Sequence, residues 1–549
     1  MANQFSRRQF VQGIAVTGLA VSSGAWATSA MPEIGRMPMP HLKGKRFDLS
    51  IDKKLVNYTG KSKIATVING SLPAPVLRFK EGETVTINVT NHLKEWSSIH
   101  WHGLLLPYEM DGVPGISFEG IAPGETFTYQ FPILQSGTYW YHSHSGFQEQ
   151  KGMMGAIIIE PREGEIVKAD CDHVVMLSDW TDENPMVLLN KLKSESDFDN
   201  YQQPTAVRFI ADMRKSGWKS AVESRKMWNE MRMSPTDFTD LSAGTYTYLM
   251  NGTNPASNWT GLFNKGDKVR LRFINGSAQT IFDVRIPGLK LTVIGTDGQL
   301  VEPVTVDEFR IGVAETYDVL VEPSDDAYTI FAQNIDRSGF ARGTLAIRDG
   351  LSAPVPALDK AQWLSMSDMM GDMSGKTTVK HASTEYGFST DMHVDSPRTN
   401  LDDPGVNLRN NGRRVLTYAD LRSIGEANNE QSEPTRELEL HLTGNMERYI
   451  WGFDGLTFQE STPVYIAKGE RVRITLVNDT MMTHPMHLHG MWSDLRDANG
   501  DFQVRKHTIM VQPAQKISFD VTGEEGRWAW HCHLLYHMES GMFREVVVD

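Results

Sequence analysis

Cysteine is nearly missing from this chain: 549 residues hold only Cys171 and Cys532. Two thiols allow at most one disulfide, so the fold does not depend on a disulfide framework. If Cys532 is engaged elsewhere, Cys171 is a lone thiol, expected as a small buried residue at the start of a strand running from Asp172 to Leu177. Positive charge is also in deficit, with 54 Lys and Arg against 68 Asp and Glu and a net charge of -14. That balance argues against nucleic acid or an anionic lipid surface as the main partner, because both require a basic face. Long apolar runs are absent too. The main candidate, Gly13 to Ala25, has about 13 residues where a membrane span needs roughly 20, so no stable membrane anchor is expected.

That short run has a different reading. It follows Ser6-Arg7-Arg8-Gln9-Phe10-Val11 and leads into two small-x-small sites, Ala25-Trp26-Ala27 and Thr28-Ser29-Ala30. Together these form a twin-arginine export signal over residues 1–30, which predicts a soluble mature protein in the periplasm.

What the chain has in plenty is internal repetition. Gly82-Glu-Thr-Val85-Thr-Ile87-Asn-Val89-Thr-Asn91, Gly266-Asp-Lys-Val269-Arg-Leu271-Arg-Phe273-Ile-Asn275 and Gly469-Glu-Arg-Val472-Arg-Ile474-Thr-Leu476-Val-Asn478 share one pattern. Each is a half-buried strand entered from a turn glycine. An Asn-Gly or Asp-Gly turn precedes each copy, at Asn69-Gly70, Asn251-Gly252 and Asp454-Gly455. The length suggests three or four domains, and the repeat argues for three homologous ones. Strand spacing with many Gly and Pro turns predicts an all-β chain of three Greek-key sandwiches, over 31–165, 166–350 and 401–549. A polar linker is expected over 351–400, and a helical insertion at about 185–240 in the second domain.

The chemistry appears where the repeats differ. His100 and His102 lie nine and eleven residues after Asn91, and His487 and His489 lie nine and eleven after Asn478. The closing strands agree, with His142 and His144 matching His531 and His533. The second domain has Phe282-Asp-Val-Arg-Ile-Pro287, Ala332 and Asn334 at these places. In a strand, residues i and i+2 share a face, so four His-x-His pairs from two domains can converge. Imidazole alone does not name the metal, since copper, zinc, iron and nickel all accept it. The third domain adds His484, Cys532, His537 and Met542 where the first has Ser97, Ser143, Gln148 and Met153. Two His and one Cys with a weak axial Met is the ligand set of a blue-copper electron-transfer centre, whereas structural zinc favours other sets and closer spacings. Alternation also explains why Cys532 stands between histidines: its side chain points away from His531 and His533, so one strand serves two metal sites.

The motifs His100-Trp-His102-Gly, His142-Ser-His144, His484-Pro-Met-His487-Leu-His489-Gly and His531-Cys-His533-Leu-Leu-Tyr-His537-Met-Glu-Ser-Gly-Met542 resemble those of the multicopper oxidases. With the export signal, Arg505-Lys506-His507 and a Met-bearing linker, the chain is similar over essentially its whole length to the bacterial copper-resistance protein A (CopA) family. The resemblance implies three cupredoxin-like domains and four copper ions. Type 1 copper would sit on His484, Cys532 and His537 with Met542 axial, and type 2 on His100 and His487. The type 3 pair would use His102, His142, His144, His489, His531 and His533. Electrons would pass from a reductant through Cys532 and its flanking His531 and His533 to O₂, which is reduced to water, with Asp111 as the acid that relays protons. Some related cuprous oxidases carry a further acid directly after the second type 1 histidine; here Met538 holds that place and Glu539 follows.

Methionine is abundant, at 27 residues. Most should fill core gaps, but Met366, Met369, Met370 and Met373 sit among Ser, Asp and Gly, where soft thioethers are expected to bind Cu(I). Met227, Met231 and Met233 in the insertion fit either a buried stripe or ligand duty. The leading expectation is therefore a periplasmic copper-tolerance oxidase acting on Cu(I) and on phenols, with periplasmic copper-handling proteins as candidate partners. The alternatives are a laccase-like phenol oxidase and a copper-sequestering protein without turnover. A two-copper nitrite reductase is disfavoured, since its chemistry does not need His142 and His144 in a three-domain chain.

Overall fold

Each repeat strand ends on an asparagine that is wholly buried, and a buried amide must satisfy its donors and acceptor. All three do so in the same way. The Nδ2 of Asn91 donates to the carbonyls of Glu95 and Ile121, that of Asn275 to Thr280 and Ile311, and that of Asn478 to Met482 and Val511, all at 2.7–3.1 Å. Their Oδ1 atoms accept from the N–H two residues on, in Leu93, Ser277 and Thr480. This clamp turns the chain out of one sheet and aims the following segment, which carries the paired histidines in the first and third domains. The preceding turns use the expected chemistry, both residues of Asn69-Gly70, Asn251-Gly252 and Asp454-Gly455 having positive φ.

The computed structural model describes residues 35–37, 39–231, 233–372, 378–425 and 432–549, and of Met231 only the backbone. The proposed export signal and Met373 lie outside the described residues. Strands within 41–160, 171–346 and 436–548 form two sheets each, making three cupredoxin-like sandwiches. In every domain a strand runs parallel to the repeat strand in the same register, with Ile51, Leu177 and Leu442 opposite Asn91, Asn275 and Asn478. The insertion in the second domain forms helices Pro185–Ser194, Ala206–Ser216 and Trp218–Met231. Among the described residues, no helix is long and apolar enough to cross a membrane.

Two sequence expectations change. Cys171 does begin a strand, Cys171–Trp180, but its side chain is only half-buried against the core. The methionine-bearing segment also packs more than its polar neighbours suggest. Met366–Met370 is a short helix capped by Ser365 and Asp368, and Asp368 pairs with Arg409 at 2.5 Å. Met369 is fully buried in the main core and Met370 packs against it. A core is therefore built where none was expected, because the linker borrows apolar surface from the domains it crosses. Met227 and Met233 likewise rest partly buried against that core.

Candidate metal centre

The strand His100–His102 pairs antiparallel with Gly137–His142, so that His100 faces His142. In the third domain His484–Leu488 pairs with Gly526–Cys532, so that His487 faces His531 and Met486 faces Cys532. The same pairing in the second domain puts Val284 opposite Ala332, and no histidine enters. The first and third domains present these faces to one another: the rings of His102 and His487 stack at 3.7 Å and those of His100 and His489 at 3.9 Å.

The donor atoms fall into compact groups. His102, His142 and His533 form one, and His144, His489 and His531 a second, with His144 Nε2 and His489 Nε2 at 3.3 and 3.1 Å from His531 Nε2. His100 and His487 approach each other beside them. Burial lowers the basicity of His102, His142, His144, His487, His489 and His533 well below the usual imidazole range, and that of His531 to about 4. Neutral imidazoles are the form a cation needs.

The outer nitrogens of five of them are tied down. His100 Nδ1 donates to the Asp111 carbonyl at 2.7 Å, His487 Nδ1 to the His507 carbonyl at 2.6 Å and His531 Nδ1 to the Cys532 carbonyl at 2.9 Å. His489 Nδ1 donates to the Asp111 carboxylate at 2.8 Å. His142 Nδ1 lies 3.0 Å from the Ser143 carbonyl and 2.9 Å from Glu149 Oε2. These bonds fix the tautomer and leave Nε2 as the inward lone pair. Among the described residues, the buried Nε2 atoms of His100, His102, His142, His487 and His533 have no hydrogen-bond partner. One orphaned buried polar atom costs about 1–3 kcal/mol, so five in one histidine cluster fit a bound metal cluster and little else.

A second centre lies on the other face of the Cys532 strand. Cys532 Sγ is 3.5 Å from His484 Nδ1 and 3.9 Å from His537 Nδ1, and those two nitrogens are 3.2 Å apart. Met542 is fully buried, and its carbonyl accepts from the Cys532 N–H at 3.1 Å. Here the outer nitrogens are Nε2: that of His484 bonds Thr480 Oγ1 at 2.7 Å, and that of His537 lies 2.9 Å from Asp240 Oδ2. Trp451 stacks on His537 at 3.8 Å. Burial pushes the Cys532 thiol far up, so a cation must displace its proton. In the first domain the equivalent position is closed by hydrogen bonds, with Ser97 Oγ and Ser143 Oγ both on Gln148 Oε1 at 2.6 and 3.0 Å and Met153 Sδ 3.9 Å from Ser97.

Three family models described as Multicopper oxidase match residues 50–164, 171–348 and 431–549. The chain belongs to the multicopper oxidase family. It is 53% identical to Copper resistance protein A of Escherichia coli, over 99% of both chains, and 51% identical to Copper resistance protein A of Pseudomonas syringae pv. tomato over the full length of both. Multicopper oxidase MmcO of Mycobacterium tuberculosis is 28% identical over 98% of this chain and 96% of its own. Among solved structures, Fet3p, a multicopper oxidase that functions in iron import, aligns with a TM-score of 0.66 at 20% identity over 92% of this chain and 91% of its own. Laccase from Botrytis aclada aligns at 0.63 and 21% identity over 93% and 88%. These structures share the fold. The protein is thus an oxidoreductase whose cofactor is copper, and the donor sets just described fit that metal.

Several groups of this multicopper oxidase's site lie outside the paired motifs. Asp240 comes from the end of the helical insertion. Glu149, 4% exposed, reaches His142 from the first domain, and burial, then the charge of Asp179, raises its carboxyl well above the usual range. It borders a small cavity with His142, His144, His533 and Met538, so the side of the cluster that Met538 leaves without an acid receives one from another domain. His507 stands edge-on to His102 at 4.7 Å with a buried, unpartnered Nε2. The register that pairs Gln148 with His537 also pairs Glu149 with Met538, so counting could have found this acid, whereas Asp240 and His507 come to light only through their contacts.

Proposed function

We propose that the protein is a periplasmic copper-tolerance oxidase that converts Cu(I) to Cu(II) and passes the electrons to O₂, forming water, and that it also oxidises phenols. His484, Cys532, His537 and Met542 would hold type 1 copper, His100 and His487 type 2, and His102, His142, His144, His489, His531 and His533 the type 3 pair. Copper bound at these residues supplies one-electron oxidation of the reductant and four-electron reduction of O₂. The observation that carries the reading is the placement of Cys532: its sulfur belongs to one donor set, and its chain neighbours His531 and His533 belong to the other. Reductant is taken up where Cys532 and His537 lie, and the peptide between Cys532 and its neighbours is the shortest covalent path to the eight histidines. Asp111 orients the cluster through His489 and His100, and is the acid proposed to pass protons inward. Glu149 holds its proton to higher pH than an exposed carboxyl and keeps it beside His142.

Cu(I) as substrate is supported by the strong resemblance to proteins named for copper resistance and by a cavity of about 700 Å³ whose lining includes Met233, Asp237, Trp363 and Met446. No type 1 residue lines it, but two of its lining residues are near that centre along the chain: Asp237 is three residues before Asp240, and Met446 three before Tyr449, whose ring lies 6.0 Å from His537. Thioethers suit Cu(I), and the aromatic wall suits a phenol. Steady-state rates with Cu(I) and with a phenol separate the two uses. Met233→Ala combined with Met446→Ala should depress Cu(I) turnover more than phenol turnover; an equal effect on both would remove the methionines from the Cu(I) reading. A sequestering protein without turnover would bind copper and consume no oxygen. Export through the twin-arginine signal, and exchange with periplasmic copper-handling proteins, belong to the same proposal.

A further inference from the structure

A second group of metal-ligating side chains lies outside both centres. His381 and Glu385 come from the segment before the third domain, His441 from the strand Arg436–Asn445, and Asp479 directly follows the clamp residue Asn478. All four side chains are at most 4% exposed. Four donor atoms meet: His381 Nδ1 lies 2.9 Å from Glu385 Oε2 and 3.6 Å from Asp479 Oδ2, while His441 Nδ1 lies 2.6 Å from Asp479 Oδ2 and 3.3 Å from Glu385 Oε2. Bonds of about 2.0–2.2 Å to a tetrahedral ion put donors about 3.4 Å apart. The cross-pairs at 3.3 and 3.6 Å match that spacing, as do the 3.2–3.9 Å separations in the His484, Cys532 and His537 set; the His381–Glu385 and His441–Asp479 pairs are closer because each shares a hydrogen bond, whose proton a cation would displace.

The surroundings aim these atoms inward. The second oxygen of each carboxylate is taken by a backbone N–H, Glu385 Oε1 by Ala382 at 2.7 Å and Asp479 Oδ1 by Val394 at 2.8 Å, which leaves Oε2 and Oδ2 facing the imidazoles. His393 Nε2 braces the Glu385 carbonyl at 3.0 Å. Asp395 and Glu439 lie 3.4 and 3.8 Å from the outward Nε2 atoms of His381 and His441, near enough to neutralise charge but not to hydrogen-bond them. Both Nε2 atoms are buried without a hydrogen-bond partner of good geometry. The register has no such set elsewhere: Asp479 corresponds to His92 and Gly276, which also follow the clamp asparagine.

We propose that His381, Glu385, His441 and Asp479 form a further metal site, separate from the type 1 and trinuclear residues, that takes a divalent first-row cation and prefers Cu(II) to Zn(II). Two imidazoles and two carboxylates contain no soft donor, so the set discriminates against Cu(I), and for divalent ions at N and O ligands affinity peaks at copper. A bound ion ties the segment carrying His381 and Glu385 to the sheet of the third domain. The site also adjoins the type 1 residues through one peptide, since Thr480, next to Asp479, bonds His484 Nε2 at 2.7 Å.

The test is metal content of the full-length protein after copper loading and dialysis, compared with Glu385→Gln and His381→Gln. The wild type should carry one more copper per chain than either variant, with blue absorption equal in all three and one non-blue EPR component missing from the variants. Equal copper content overturns the site and leaves a metal-free ion-pair cluster. Loading with equimolar Cu(II) and Zn(II) should fill the site with copper; zinc there instead overturns the preference. A measurement on wild-type protein alone guards against variants that misfold: crystals of the copper-loaded enzyme should show anomalous scattering at the copper edge between these four side chains, and its absence refutes the proposal.

Discussion

Asp111 is a single residue that holds histidines from two domains, and replacing it by alanine isolates what that hold contributes. Its backbone carbonyl accepts from His100 Nδ1 at 2.7 Å and survives the change; its carboxylate accepts from His489 Nδ1 at 2.8 Å and does not. The carboxylate is 1% exposed, so no bulk water replaces it. A buried hydrogen bond to a charged group contributes about 1.5–3 kcal/mol, and loss of such an outer partner of a metal ligand typically costs about 10–100-fold in affinity or activity. Asp111→Ala should therefore weaken copper at the cluster and slow oxygen uptake by that factor, while blue absorption from the Cys532 centre stays constant and serves as the internal reference. Asp111→Asn keeps an acceptor oxygen in place and should retain more of the copper than Ala, with the charge lost. The readouts are copper per chain against a series of competing chelator concentrations, and oxygen consumption at saturating reductant. If the alanine variant holds copper and consumes oxygen like the wild type, the carboxylate does not orient His489 and the reasoning fails.

Cys532→Ser should abolish blue absorption and reductant oxidation while leaving the EPR signal of the histidine-bound copper; blue absorption that persists in this variant contradicts the ligand assignment. Asp240→Asn removes the charge beside His537 Nε2 and should slow reductant oxidation by about tenfold without changing copper content, as read by stopped-flow bleaching of the blue band; an unchanged rate removes Asp240 from the reductant side. Acid should destabilise the copper-free protein. Burial holds His531 and His507 at about 4 against an ordinary value of 6.5, so between pH 6.5 and 4 the unfolded chain binds protons that the folded chain does not. The stability these neutral rings carry is present above pH 6.5 and lost as pH falls toward 4, about 3 kcal/mol for each; urea unfolding of the apo-protein at pH 7.5 and pH 5 checks it, and an unchanged midpoint argues against it.

The repeat asparagine explains why so much of this molecule is legible in its sequence. Because Asn91, Asn275 and Asn478 make one set of hydrogen bonds, counting from them transfers position between domains, and the His-x-His pairs counted that way meet in one cluster. The same count pairs Ser97, Ser143, Gln148 and Met153 with the Cys532 centre, and the first domain does close that spot with a hydrogen-bonded cluster. Counting fails where no repeat exists. Asp240 and the group around His381 reach their partners from an insertion and loops, and their pairing depends on chain paths that no local pattern encodes. Met369 misleads for a related reason: its neighbours are polar, but the surface that buries it belongs to residues far away in sequence.

The central claim is that one chain couples oxidation of Cu(I) at the Cys532 centre to reduction of O₂ at the eight histidines. Oxygen uptake by the copper-loaded enzyme, with Cu(I) as sole reductant and hydrogen peroxide assayed in parallel, tests it most directly. The account predicts four Cu(I) consumed per O₂ with no peroxide released, and loss of this turnover in Cys532→Ser. Copper-loaded protein that stays reduced in air, or that releases peroxide in place of water, would contradict it.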